Sequence, residues 1–278
     1  MGKKELKELV YFGKPGSFTH LVAKRIGGSK TLIPKDTIAQ VIDYVQKDST
    51  REAVVPIENS SGGMILDTID ELVRLNNQLV IQEEYSLNVK LHLMMKNSGK
   101  ITKIYSHFVP FHHCNQWLKS HFPEAERIVV NSTSEAAQLA SVEKGAAAIA
   151  QLSSSKEYQL KILHRNVGDH PKNITQFYHL SHRNETPLKA QETSLAVVLQ
   201  NKTGSLYDLL SVFAKHRVNL KRIMSRPMPG HVNHYVFFLS VEAPMHDPSM
   251  IKSIKAIEKL APSLKILGSY PVHPAFNS

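Results

Sequence analysis

The stretch 204–227, "GSLYDLLSVFAKHRVNLKRIMSRP", settles the C-terminal unit of the fold. It reads as a helix over 205–216 followed by a strand over 218–227. Gly204 precedes the helix and lets the backbone approach whatever lies at its start, where unpaired N–H groups favour a carboxylate. Outward from this stretch lie a strand "TSLAVVLQ" (193–200), a strand "HYVFFLSVE" (234–242), a helix "SMIKSIKAIEKLA" (249–261) and a strand "LKILGSY" (264–270). The order is βαββαβ, the ferredoxin-like arrangement. A unit of about 75 residues builds a shallow core alone, so association with a second copy is expected.

Upstream the pattern changes at "SHRNETPLKAQE" (181–192), which is polar and carries a proline. Before it, strands and helices alternate. "LVYFG" (9–13), "EAVVPIENS" (52–60), "ITKIYSH" (101–107), "RIVVNS" (127–132) and "AAAIA" (146–150) read as strands, and "QLVIQEEYSLNVKLHLMM" (78–95) holds one or two more. "THLVAKRIG" (19–27), with Thr19 as candidate cap, "DTIAQVIDYVQK" (36–47), "MILDTIDELVRLN" (64–76) and a segment around "HHCNQWLKSHF" (112–122) read as helices. So does "STSEAAQLASVEKG" (132–145), where Ser132 and Glu135 have capping-box spacing and Gly145 is a stop. This is an α/β layer architecture in two successive lobes, with "SLNVKLHL" (86–93) and "DHPKNITQF" (169–177) as crossing segments and a cleft between. Two domains follow: 1–185 with the two lobes, and 192–272 with the ferredoxin-like unit.

Composition excludes several classes. With 278 residues, 42% hydrophobic and 21% charged, the chain buries real cores and is not disordered overall. One cysteine, Cys114, rules out an internal disulfide and suits a reducing cytoplasm. The N-terminus has no apolar core of signal-peptide type, Leu6 argues against myristoylation of Gly2, and no apolar run reaches membrane-span length, so no membrane is expected as partner. The net charge of +10 is scattered over sets such as "GKKELK" and "KHRVNLKR", without a long basic run or a nucleic-acid motif. Nucleic acid is therefore not expected as a partner; a cleft for a small dianion or a solvated basic surface accounts for the excess. Adjacent His112 and His113 point to different helix faces and no second ligand cluster has suitable spacing, so no metal is expected.

The stretch 204–227 resembles the ACT domain, a small-molecule sensing module, and within it the subset that binds aromatic amino acids. The two signatures stand here as Gly204-Ser205-Leu206-Tyr207 and as Ser225-Arg226-Pro227 preceded by Met224, where the family has glutamate. "FGKPGSFTH" (12–20), "VPIENSSGG" (55–63), "YSH" (105–107), "NSTSEAA" (131–137) and "NITQF" (173–177) occur in order, and together they resemble prephenate dehydratase over almost the whole chain.

The resemblance implies a two-lobed, periplasmic-binding-protein-like (type 2) catalytic domain followed by the ACT domain. It implies a carbon–oxygen lyase without cofactor: prephenate loses carbon dioxide and water and becomes phenylpyruvate, the step before phenylalanine. Aromatisation drives the reaction. Thr175 is the implied catalytic residue, a hydroxyl able to donate to the departing oxygen. Ser17, Thr19, Asn59, Ser60, Ser61, Ser106, His107, Ser132, Thr133, Asn173, Gln176 and Phe177 are the implied substrate-binding residues, and Ser17, Thr19, Ser132 and Thr133 lie where hydroxyls stand beside free backbone donors. Gly204, Ser205, Leu206, Tyr207, Ser225, Arg226 and Pro227 are the implied site for phenylalanine as allosteric effector in a homodimer or homotetramer.

The sequence departs from the family at Gln176, where arginine is usual, at Phe108, where Ser-His-Pro is usual, and at "AIAQLSSS", where an Ile-Gly-Ser turn is usual. An arginine pairs with a carboxylate through a fork, so the expectation at Gln176 is a weaker grip on substrate, with Lys172, Lys14 or His20 as helpers. Two alternatives stay open: a prephenate decarboxylase that does not aromatise the ring, and a catalytically silent amino-acid sensor.

Overall fold

The structure, a computed structural model, describes residues 7–74, 78–170, 172–182, 186–228 and 234–278. Gly2, most of the basic "GKKELK" and the expected boundary at 185 lie outside them. The first lobe comprises β1 (Glu8–Phe12), α1 (Phe18–Ile26), β2 (Thr31–Lys35), α2 (Ile38–Gln46), β3 (Arg51–Asn59), a short β4 (Gly63–Met64), α3 (Leu66–Val73) and β5 (Val80–Asn88). The second lobe follows with β6 (His92–Met95), β7 (Lys103–Ser106), α4 (Phe108–His113), α5 (Asn115–His121), β8 (Glu126–Val129), α6 (Thr133–Val142), β9 (Ala146–Ala150), α7 (Leu152–Glu157) and β10 (Lys161–His164). The chain returns to the first lobe in β11 (Ile174–Ser181). The C-terminal unit is β12 (Glu192–Val198), α8 (Ser205–His216), β13 (Leu220–Pro227), β14 (Tyr235–Val241), α9 (Pro248–Leu260) and β15 (Ser263–Tyr270), with a short β16 (Phe276–Asn277) after it.

The first lobe's sheet has the order β16-β5-β11-β3-β1-β2, the second lobe's β10-β6-β9-β7-β8, and the C-terminal unit's β13-β14-β12-β15. β3 is covered on both faces, which explains the unbroken apolar run Ala53–Ile57. Pro34 is tolerated because β2 is an edge strand. The helix expected with Thr19 as its cap is capped two residues earlier: Ser17 is the cap, accepting from the His20 N–H. Ser132 caps α6 as expected, while Glu135 reaches back to the Asn131 N–H rather than to that of Ser132.

Strand β11 organises the site, because its pleat sends alternate side chains to opposite faces. Phe177 packs with Leu9, Val22 and Leu87 on the α1 side. Tyr178 and Leu180 pack with Ile69, Phe238 and Tyr270 on the other. The C-terminal unit is thus docked on the back of the first lobe's sheet, against the strand that carries Thr175. The contact is close: a Cβ on Gly268 of β15 would stand 2.3 Å from the Ile81 carbonyl oxygen of β5. The tail beyond 272, for which the sequence gives no expectation, pairs with β5 in parallel, Phe276 opposite Leu87.

Candidate active site

Where β3 and β11 end side by side, Asn59 is in register with Thr175. The Asn59 amide is fully used. Its Nδ2 donates to Thr175 Oγ1 at 2.9 Å and to Asn173 Oδ1 at 2.8 Å, and its Oδ1 accepts from the N–H groups of Ser61 and Gly62 at 3.0 and 2.9 Å. Thr175 Oγ1 is therefore an acceptor towards Asn59, and its own hydrogen is free for another partner. That partner would lie in a cavity of about 470 Å³ between the lobes, lined by Thr175, Asn59, Asn173 and Phe177.

Two helix N-termini face the same cavity, one from each lobe. Ser17, Phe18 and Thr19 line it from α1, and Ser132 and Thr133 from α6. Each cap serine satisfies one N–H of its helix, and the remaining first-turn N–H groups with the helix dipole favour a carboxylate. The lobes meet at this rim, where Ser134 Oγ donates to the Pro15 carbonyl at 3.3 Å. Phe12, Ile65, Val89, Leu91, Val109 and Pro110 supply apolar walls wide enough for a six-membered ring.

The formal charges lining the cavity are Lys14 and Asp36, so the basic excess of the chain is not gathered there. His107 caps α4, its Nδ1 accepting from the Val109 N–H at 3.3 Å, which leaves Nε2–H as donor. Burial lowers its pKa and keeps the ring neutral. His113 also lines the cavity, is 5% exposed, and has an unpartnered Nε2. Burial, then His112 and His170, lower its pKa. Nothing in the spelling "FHHC" separates His113, inside, from the exposed His112.

Ser17, Thr19, Asn59, His107, Ser132, Thr133, Asn173, Thr175 and Phe177 thus come together. Four expected residues do not. Ser60 Oγ accepts from the Ile174 N–H and its own N–H donates to the Ile174 carbonyl, so it extends the β3–β11 pairing by one residue. Ser61 is exposed, its N–H held by Asn59. Ser106 is wholly buried, its hydroxyl donating to the Ile149 carbonyl at 2.9 Å. Gln176 is the largest correction: its amide turns away from the cleft and donates to Glu84 Oε1 at 3.0 Å, on the face covered by the C-terminal unit. There Lys221 Nζ and the guanidinium of Arg222 also reach Glu84. Gln176 thus belongs to the domain junction, where it shares Glu84 with two cations of the C-terminal unit. Of the expected helpers, Lys14 lines the cleft, Lys172 is exposed outside it, and His20 Nδ1 is used by the Gly16 N–H.

In the C-terminal unit Gly204 has φ +88° and caps α8, and Ser205 Oγ is buried without a partner. Leu206 and Tyr207 are exposed, as are Ser225 and Pro227 on the edge strand β13. Arg226 points the other way: its Nε and Nη2 bind Asp70 of α3 at 2.5 and 2.6 Å, so both jaws of its fork are used in docking the domains.

This arrangement agrees with what comparison finds. Residues 9–185 match the family model for prephenate dehydratase and residues 193–259 that for the ACT domain. A bifunctional chorismate mutase/prephenate dehydratase of Pseudomonas aeruginosa is 34% identical over 268 residues, covering 95% of this chain and 73% of its own length. A prephenate dehydratase of Bacillus subtilis is 30% identical over 277 residues, covering 94% of this chain and 97% of its own. A solved prephenate dehydratase of Arthrobacter aurescens, in complex with L-Phe, superposes with a TM-score of 0.87 at 26% identity, over 95% of this chain and 90% of its own. With two lobes around Thr175 and a ferredoxin-like unit behind them, the chain belongs to the prephenate dehydratase family.

Proposed function

We propose that the cleft converts prephenate to phenylpyruvate, carbon dioxide and water. The C1–carboxylate bond breaks, its electron pair enters the ring, and the C4–oxygen bond breaks as the ring becomes aromatic. One proton is taken up to turn the departing hydroxide into water. The observation that carries the reading is Thr175 Oγ1, held as an acceptor by Asn59 so that its hydrogen faces the interlobe cavity. The two helix N-termini, with Ser17 and Thr19 on one side and Ser132 and Thr133 on the other, suit the two carboxylates, while Phe177 and the apolar walls suit the ring. Neutral His107 and His113 add donors without adding a fixed charge. A donor aimed at the leaving oxygen in such a site contributes a factor of about 10²–10³ to kcat.

The test is to add purified protein to prephenate and follow phenylpyruvate by its absorbance in alkali. Turnover proportional to enzyme is the expected result. A product that keeps its ring alcohol would establish the decarboxylase instead, and no product at any enzyme concentration would leave the silent sensor; neither alternative has an observation in its favour.

Regulation by phenylalanine at the C-terminal unit belongs to the same reading. Its support is the unpartnered Ser205 Oγ at the start of α8, beside the exposed Leu206 and Tyr207, and the L-Phe bound by the Arthrobacter relative. A second copy laid against the edge strand β13, where Ile223 is 39% exposed, would complete the effector site in a homodimer or homotetramer. The cytoplasm is the proposed location, in keeping with Cys114, which burial pushes up to about 12 and keeps as a thiol. No helix among the described residues is long and apolar enough to cross a membrane.

A further inference from the structure

The C-terminal unit contributes more than a docking surface to the first lobe. β11 lies between β5 and β3 in the sheet, with Thr175 on its cleft side. On the opposite side one guanidinium touches all three strands. Arg222 Nε donates to Glu58 Oε2 of β3 at 2.6 Å, Nη1 and Nη2 to Glu84 of β5 at 2.9 and 3.2 Å, and Nη1 to Tyr178 Oη of β11 at 3.3 Å. Glu58 is in register with Gln176, and the next pair along the same two strands is Asn59 with Thr175. Gln176 itself donates to the same Glu84.

We propose that Arg222 is a positioning residue for the Thr175 hydroxyl, a clamp that spans β3, β11 and β5 from behind and fixes the spacing of the strands that carry Asn59 and Thr175. The inference rests on the dehydratase reading of the cleft. Strands in a sheet lie about 4.8 Å apart, so joining β3 to β5 across β11 needs a group about twice that in reach. A planar fork with donors fixed on several edges can span carboxylates on separate strands and set the distance between them, whereas a compact ammonium, which reaches only carboxylates gathered around one nitrogen, lacks that span. Arg222 is 4% exposed, so water does not substitute for it. The first lobe's catalytic strand is thus completed by a residue of the sensing unit. β13 also carries Ser225 and Pro227 at its exposed edge, and a shift of that strand on effector binding would be felt at Glu58 and Glu84 first.

Arg222→Lys keeps the charge and removes the fork, which makes it the discriminating variant. In the full chain, kcat for prephenate is expected to fall about ten- to a hundredfold with KM changed less than about threefold. In an Asn59→Ala background the same substitution should have little further effect, because both act on one hydroxyl. Backbone amide exchange over 173–177 should be faster in Arg222→Lys than in the parent chain. Should that variant not fold, Glu58→Gln, which loosens one jaw, takes its place with the same expected outcomes. A kcat within about twofold of the parent beside a lowered Tm would reduce Arg222 to a structural brace and overturn the proposal. So would kcat losses that multiply with those of Asn59→Ala. If the parent chain itself fails to turn over prephenate, the functional reading falls separately, and unchanged amide exchange over 173–177 then overturns the clamp.

Discussion

Asn59 Nδ2 donates to Thr175 Oγ1 at 2.9 Å, and that bond decides where the threonine proton goes. A hydroxyl that accepts from a fixed amide has its own hydrogen left over. The amide is fixed because each of its four hydrogen-bonding sites is taken, two by side chains and two by the Ser61 and Gly62 N–H groups. Orientation of this kind lets an unperturbed threonine, a poor acid, act as a donor that strengthens only as charge develops on the leaving oxygen.

Asn59→Ala should therefore lower kcat more than it raises KM. The expected loss is about ten- to a hundredfold in kcat, less than the roughly 10²–10³ of a donor removed outright, because the hydroxyl is misdirected rather than lost. It also releases the Ser61 and Gly62 N–H groups, which are in exposed residues and turn to water, so the cost in chemical denaturation is about 0.5–1.5 kcal/mol. A pure rise in KM would contradict the assigned geometry.

Gln176→Arg should not tighten the grip on prephenate. The side chain faces Glu84, where Lys221 and Arg222 already stand, so a new guanidinium competes with them rather than meeting substrate. KM is expected within about threefold of the parent chain, with the change appearing in Tm. A tenfold fall in KM, on the order of 1.4 kcal/mol, would return this slot to the cleft.

The junction should weaken as pH rises. Burial, then Glu84, hold the Glu192 carboxyl above its ordinary 4.5, against the pull of Lys221 and Arg222. Glu58, Tyr178, Tyr270 and Ser240 complete the groups around this cluster. A value higher in the folded chain means the native state binds the proton more tightly. The stabilisation is full below the unfolded value and is lost as pH rises through the folded one. Denaturation midpoints taken at intervals upward from pH 4.5 should fall across that window. Glu192→Gln should flatten the fall, and an unchanged slope in that variant would remove Glu192 as its cause.

Arg226→Ala should leave phenylalanine binding within about threefold, measured by calorimetry, because the guanidinium is engaged with Asp70. Asp70 is 45% exposed, so the pair adds no more than about 1 kcal/mol to stability. Loss of phenylalanine binding in the variant would restore Arg226 to the effector site.

The two-domain plan was legible because helix caps and apolar periods are local: Ser132 before α6 and the strand–helix order of the C-terminal unit both read directly. Which members of a motif face the cleft was harder to read. In "NITQF" the residues Thr175 and Gln176 are neighbours in sequence, yet a pleat sends them to opposite faces, one to the cavity and one to Glu84. "ENSS" is similar, with Asn59 in the cleft and Ser60 spent on the Ile174 backbone where β3 pairs with β11. Arg222 and His113 carried no local signal: Arg222 matters through Glu58 and Glu84, more than a hundred residues away, and His113 through a cavity that segments from both lobes enclose. The tail strand β16, two residues long, has no period to read.

If the Thr175 hydroxyl acts on the leaving oxygen, kcat for prephenate in Thr175→Ala beside Thr175→Ser will show it. The alanine variant should lose about a hundredfold or more in kcat with KM nearly unchanged, while the serine variant, which keeps the hydroxyl, recovers most of that loss. An alanine variant that turns over prephenate at the parent rate, with only KM raised, would contradict the account.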